Sequence, residues 1–201
     1  ERIVADFVRQ GMTTVKRSDI RKVASDLLDR EYGEDFSERY RIWNWFRNQD
    51  QAQPIIILIG GATGVGKTSV AVALSNLLRV SRVASTDEIR QVMRLMIAPD
   101  LMPALHASSY EAWKDVGIPP PGDLDPVLHA FREQAGRVCV GVRATIERAI
   151  QENVSLVLDG IHLLPDLLGL DPYRKDALFL WTNLFLTDTQ DYADRFRTRG
   201  K

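Results

Sequence analysis

The sequence predicts an α/β domain, a parallel sheet flanked by helices, preceded by a helical segment. Three observations predict it. From Pro54 onward, short apolar runs alternate with helix-period patterns. The first run, PIIILIG, leads straight into the glycine-rich stretch GATGVGKTS and then into a helical pattern. The first fifty residues, by contrast, are polar and helix-favouring throughout. Strands separated by helices pair in parallel through right-handed crossovers.

The elements follow in order. SDIRKVASDLLDR places Ile20, Val23, Ala24, Leu27 and Leu28 at helical spacing, with Ser18 as the N-cap. SERYRIWNWFRNQ reads as a second helix anchored by Trp43, Trp45 and Phe46. Residues 1–50 thus form a helical accessory segment, and NQDQAQP a linker. PIIILIG suits a buried parallel strand. Residues 67–79 form a helix, SRVAST a second strand and DEIRQVMRLMI a helix. Residues 97–122, rich in Pro, Ser and Gly, form a long functional loop. From Asp123 to about Glu152 an amphipathic helix buries Val127, Phe131, Ala135, Val138, Val142 and Ile146. VSLVLDGIHLL is the third strand, ALFLWTNLFLTD the fourth, and TQDYADRFRTR opens another helix.

Composition excludes several classes. The 201 residues carry a net charge of -1, which gives no global basic field for nucleic acid. No run of 18 apolar residues exists, so no membrane span is expected. The single cysteine, Cys139, rules out an intrachain disulfide and a CxxC metal site. It sits in the apolar GRVCVGV and reads as a packed core residue of a protein in a reducing, cytoplasmic compartment. The chain opens at Glu1 and closes on the charged RFRTRGK, so the second domain, 54–201, is expected to be incomplete at its C-terminus.

Gly61-Ala62-Thr63-Gly64-Val65-Gly66-Lys67-Thr68 matches GxxxxGK[ST] in full, between a strand and a helix. The glycines let the chain turn so that backbone N–H groups converge on phosphate oxygens, and the helix N-terminus adds partial positive charge. Lys67 can reach the β- and γ-phosphates, and the Thr68 hydroxyl, with Ser69 behind it, can serve a Mg²⁺ ion. The stretch is a P-loop, and the domain is of the P-loop NTPase, nucleotide-kinase-like class. ATP and Mg²⁺ are the expected cofactors.

Ligands of open α/β sheets bind at the carboxyl ends of strands. Asp87 follows the second strand and Asp159 the third. Asp159 is the metal-side carboxylate of choice, since Leu156, Val157 and Leu158 lead into it. Asp87 suits an acceptor-side base; it could equally cap the helix that follows. His162 could face the site or pack beneath it. Arg90 and Arg94 could capture an anionic acceptor, and LHASSYEAWK offers His106, Ser108, Ser109, Tyr110 and Lys114. Arg195 and Arg199, four apart, share a face of the last helix.

STDEIRQVMR, LMPALHASSYEAWKDVG, LDGIHLLP and DYADRFRTR together resemble the 2-phosphoglycerate kinase family. The resemblance covers about residues 54–199, and more loosely the helical N-terminus, which is similar to the ATP-cone of some relatives. It implies transfer of the ATP γ-phosphate to the free hydroxyl of 2-phosphoglycerate, a small anionic substrate. It also implies a catalytic set of Lys67, Asp87 and lid arginines Arg195 and Arg199. Substrate contacts would come from Asp87, Arg90, His106, Ser108, Ser109 and Tyr110, and metal contacts from Thr68 and Asp159. This strand carries Asp159 where the relatives are expected to carry Glu. Two other readings stay open: a kinase for a sugar acid, inositol phosphate or nucleotide, and a nucleotide-responsive regulator.

Overall fold

The structure is a computed structural model, and it describes residues 2–9, 11, 14–47, 53–109, 124–188 and 192. Two compact units divide the chain, residues 1–52 and 53–201.

The first unit contains helices α1 (Arg2–Arg9), α2 (Arg17–Tyr32) and α3 (Glu34–Arg47). Helix α1 falls within the expected helical segment, where sequence patterning marks no separate helix. The N-cap of α2 is Lys16 and not Ser18. The reason is electrostatic: the Asp19 carboxylate accepts the Lys16 backbone N–H at 3.0 Å and closes the first turn. Gly33, at φ 97°, ends α2, and its N–H reaches the Asp29 carbonyl. Trp45 is no anchor within this unit, being 66% exposed.

The second unit is built on four parallel strands, β1 (Ile55–Gly61), β2 (Arg82–Ser85), β3 (Leu156–Asp159) and β4 (Leu178–Leu184), in the order β2-β3-β1-β4. β1 and β3 occupy the centre, and every residue of β3 is buried. That explains their unbroken apolar runs, since a central parallel strand has both faces covered. β4 alternates exposed and half-buried positions, as an edge strand covered on one face does. The strands are shorter than the apolar runs around them. β3 stops at Asp159, and the next residue, Gly160, packs on Thr86, where an added Cβ would lie 1.8 Å from Oγ1.

Helix α4 (Lys67–Leu78) lies against β1, β2 and β3. Helices α5 (Thr86–Met96), α6 (Pro103–His106), α7 (Pro126–Gln151) and α8 (Pro165–Leu168) follow. α6 lies inside the stretch expected to be a plain loop; Pro103 starts it at N1, where a missing N–H costs nothing. α7 buries Ala130, Gln134, Ala135, Val138, Cys139, Val142, Ile146 and Ala149. The expected stripe holds from Ala135 onward, but Val127, at 40% exposure, lies at its open end. α7 packs with Ile56, Leu58, Leu156 and Leu158 into one core, all fully buried. Cys139 is in that core, as expected, and burial pushes its thiol up to about 11. No helix among the described residues is long and apolar enough to cross a membrane.

Candidate active site

β1 and β3 are neighbours, and Ile59 is in register with Asp159. The sheet therefore delivers the start of the phosphate loop and the Asp159 carboxylate to the same edge. Gly64 and Gly66 hold φ values of 90° and 95°, which a side chain would resist, and Gly66 leads directly into α4. The first helical N–H groups of α4 consequently open toward the loop.

Lys67 is only 8% exposed, and its Nζ donates to the Ala62 carbonyl at 2.7 Å, across the loop's own concavity. The Thr68 hydroxyl donates to Asp159 Oδ2 at 2.9 Å. Asp159 is 3% exposed, and its second oxygen, Oδ1, is buried without a hydrogen-bond partner. Burial raises the Asp159 carboxyl above its usual range, against the Thr68 hydrogen bond and the Lys67 charge, which lower it. A buried carboxylate oxygen lacking a donor, beside a threonine hydroxyl and an ammonium, suits a divalent cation. Among the described residues no group of three or more His, Cys, Asp or Glu forms a self-contained metal site. The fit is therefore to a cation that takes its remaining ligands from phosphate and water.

These groups line a cavity of about 320 Å³ with Thr63, Gly64, Gly66, Ser85, Asp87 and Glu88. Asp87 reaches it as an exposed residue in the first turn of α5. It is not the cap of that helix. Ser85 is: its Oγ accepts the Glu88 N–H at 3.1 Å, and the Glu88 carboxylate accepts the Ser85 N–H at 3.3 Å. This reciprocal pair leaves the Asp87 carboxylate for other work.

A second cavity, of about 510 Å³, lies on the other side of the loop. Val127, Leu128, Phe131, Ile161, Leu163 and Leu164 make its walls. Ala62, Thr63, Ser109, Asp125 and Asn183 contribute to its lining. Thr63 and Ile161 border both cavities. Sequence reasoning missed this cavity, because its lining comes from five separate segments with no local motif.

The expected substrate contacts are distributed differently. Arg90 is engaged with backbone carbonyls: its Nε donates to the Leu105 carbonyl at 2.9 Å, and a terminal nitrogen donates to the Ala107 carbonyl. It clamps the α6 segment to α5, and burial lowers its pKa. Arg94 faces Gln91 at 3.4 Å. His106 bonds the Ile97 carbonyl through Nε2 at 2.8 Å and lines neither cavity. Ser109 does line the larger one, while Ser108 lines neither. Val65 is buried under the phosphate loop. Tyr110, Lys114, Arg195 and Arg199 lie outside the described residues. His162 packs beneath the site: it is fully buried between Thr86 and Gln134, and burial and the Arg90 and Lys67 charges lower its pKa to about 4.

No protein-family model matches the chain. Among curated proteins it is similar to the 2-phosphoglycerate kinase of Methanothermobacter thermautotrophicus, at 36% identity over 98% of this chain and 63% of that one. It is also similar to that of Pyrococcus furiosus, at 38% over 83% of this chain and 54% of that one. The 2-phosphoglycerate kinase of Pyrococcus horikoshii matches at 36% over 98% and 62%. The chain spans less than two thirds of the length of these relatives. By sequence, the chain is similar to part of the 2-phosphoglycerate kinases.

Proposed function

We propose that this chain carries the phosphate-handling core of an ATP- and Mg²⁺-dependent kinase, which transfers the γ-phosphoryl group to the free hydroxyl of 2-phosphoglycerate. The observation that carries the reading is the Thr68–Asp159 pair at 2.9 Å, with Asp159 Oδ1 left open beside Lys67. The loop N–H groups and Lys67 hold the phosphate chain. Thr68 and Asp159 would hold Mg²⁺, which when bound neutralises phosphate charge during transfer. Asp87, on the same cavity, orients the attacking hydroxyl and takes its proton. Arg195 and Arg199 are assigned to the developing charge on the transferring group. A cytoplasmic setting goes with this reading and with the single buried thiol.

One observation favours a second acceptor. The larger cavity is mostly apolar, and Arg90 is already engaged with carbonyls. An acceptor with an apolar body would use that wall better than a three-carbon acid. ATP consumption measured against a panel of phosphorylated acids, sugar phosphates and nucleotides separates the two. Turnover with 2-phosphoglycerate supports the first reading, and turnover with another acceptor alone supports the second. Tight ATP binding without any acceptor-dependent turnover contradicts both and leaves a nucleotide-binding regulator.

A further inference from the structure

A chain of polar groups runs through the core beneath the two cavities. Thr86 Oγ1 lies 2.9 Å from His162 Nδ1, and His162 Nε2 lies 3.2 Å from Gln134 Oε1. The Ser109 hydroxyl is 2.6 Å from that same Oε1. Gln134 Nε2 faces the Ala104 carbonyl at 2.5 Å and the Ala107 carbonyl at 3.1 Å. Thr86, Gln134 and His162 are all fully buried.

The directions of these hydrogen bonds follow from chemistry alone. Carbonyls only accept, so two of them fix the Gln134 amide with its NH₂ toward Ala104 and Ala107. Oε1 therefore turns to Ser109 and His162, and it too only accepts. Ser109 must donate its one proton to Gln134. His162 must carry its proton on Nε2, and its bare Nδ1 accepts from the Thr86 hydroxyl. A neutral imidazole agrees with the lowered pKa of His162.

Ser109 thus faces the larger cavity with lone pairs and no proton to give. Asp125, on the same lining, is an acceptor as well, with one oxygen already accepting the Val127 N–H at 2.7 Å. A phosphate or carboxylate oxygen there would meet only acceptors from these two residues. A hydroxyl would meet a partner. We propose that Ser109 is a specificity-determining residue that receives a hydrogen bond from an acceptor alcohol docked in this cavity. This rests on the kinase reading above and refines it: the acceptor hydroxyl gives its one proton to Ser109 while the acceptor docks on the α7 side of the loop, and turns it to Asp87 for transfer.

The test compares 2-phosphoglycerate with 2-phospholactate, which lacks only the free hydroxyl. Binding of each is measured by calorimetry to the wild-type protein, Ser109→Ala and Ser109→Thr, with Mg²⁺ and a non-hydrolysable ATP analogue. Ser109→Ala is expected to weaken 2-phosphoglycerate by about tenfold and leave 2-phospholactate unchanged, with Ser109→Thr restoring the difference. Equal weakening of both ligands, or of neither, overturns the proposal. Failure of both ligands to bind the wild-type protein rejects 2-phosphoglycerate as acceptor, and the ligand half of the proposal with it. The proton assignment stands apart from activity. Nitrogen-15 NMR of the wild-type protein is expected to show His162 with its proton on Nε2, and a proton on Nδ1 overturns the assignment of the Ser109 donor.

Discussion

Two cavities flank one phosphate loop, and they are built on opposite principles. The smaller is lined by Lys67, Thr68, Asp87, Glu88 and Asp159, charged and hydroxyl groups whose chemistry suits phosphate and metal. The larger has walls of Val127, Leu128, Phe131, Ile161, Leu163 and Leu164, which offer shape and exclude water. A single strand-to-helix turn serves both, through Thr63 and Ile161 at their shared border. The difference teaches that, on the kinase reading proposed above, the donor and acceptor ends are specified by different physics. Electrostatics fixes the end where charge moves. Packing and hydrogen-bond direction select what approaches it.

The comparison can be broken first on the charged side. Lys67→Ala should reduce ATP turnover by roughly a thousandfold or more, since the lysine acts on the phosphates themselves. A steady-state ATP consumption assay checks it, and unchanged turnover would remove the premise of the smaller cavity. Asp159→Asn should lower Mg²⁺-dependent turnover by about a hundredfold or more while leaving thermal stability equal or higher. The wild-type carboxylate is buried with its charge disfavoured, so neutralising it relieves a cost of folding. A fall in both turnover and melting temperature would contradict the assignment of Asp159 to a cation.

Between the cavities, Gly160 holds the β3 turn against Thr86. Gly160→Ala should destabilise the protein by about 1–3 kcal/mol, because its Cβ would meet Oγ1 at 1.8 Å. Urea denaturation reads that loss. A neutral outcome would mean the turn has room to shift, and the hydrogen bond to His162 would not be sterically enforced.

The last effect is the dependence of stability on pH from His162. Its pKa falls from the ordinary 6.5 to about 4 on burial. The unfolded chain therefore takes up a proton first as pH drops. Its contribution to stability is full above about 6.5 and is lost progressively down to about 4, on the order of 3 kcal/mol in all. His162→Gln should flatten the stability curve in that window. An unchanged slope between the two proteins would show that other groups carry it.

How far the sequence could be read follows the same division. The phosphate loop was legible because its chemistry is local: the spacing of Gly61, Gly64, Gly66 and Lys67 is itself the geometry. Asp159 was legible because a buried parallel strand can bring an acid to only one edge. The carbonyl partners of Arg90 and His106 were not. Both residues have chemistry suited to an anion, but α6, which sequence patterning treated as loop, offers carbonyls close enough to take Arg90 first. His106 was diverted in the same way, to the carbonyl of Ile97. Gln134 was illegible for another reason. A polar residue on the buried stripe of an amphipathic helix breaks the pattern, and nothing local says that Ser109 and His162 converge on it from 25 and 28 residues away.

The central claim is that this site moves phosphate from ATP to an alcohol. Phosphorus-31 NMR of the protein with ATP, Mg²⁺ and 2-phosphoglycerate tests it most directly. The account predicts ADP and 2,3-bisphosphoglycerate forming in equal amounts, with both signals lost in Lys67→Ala. ADP and inorganic phosphate alone, or no change in any phosphorus signal, would contradict it.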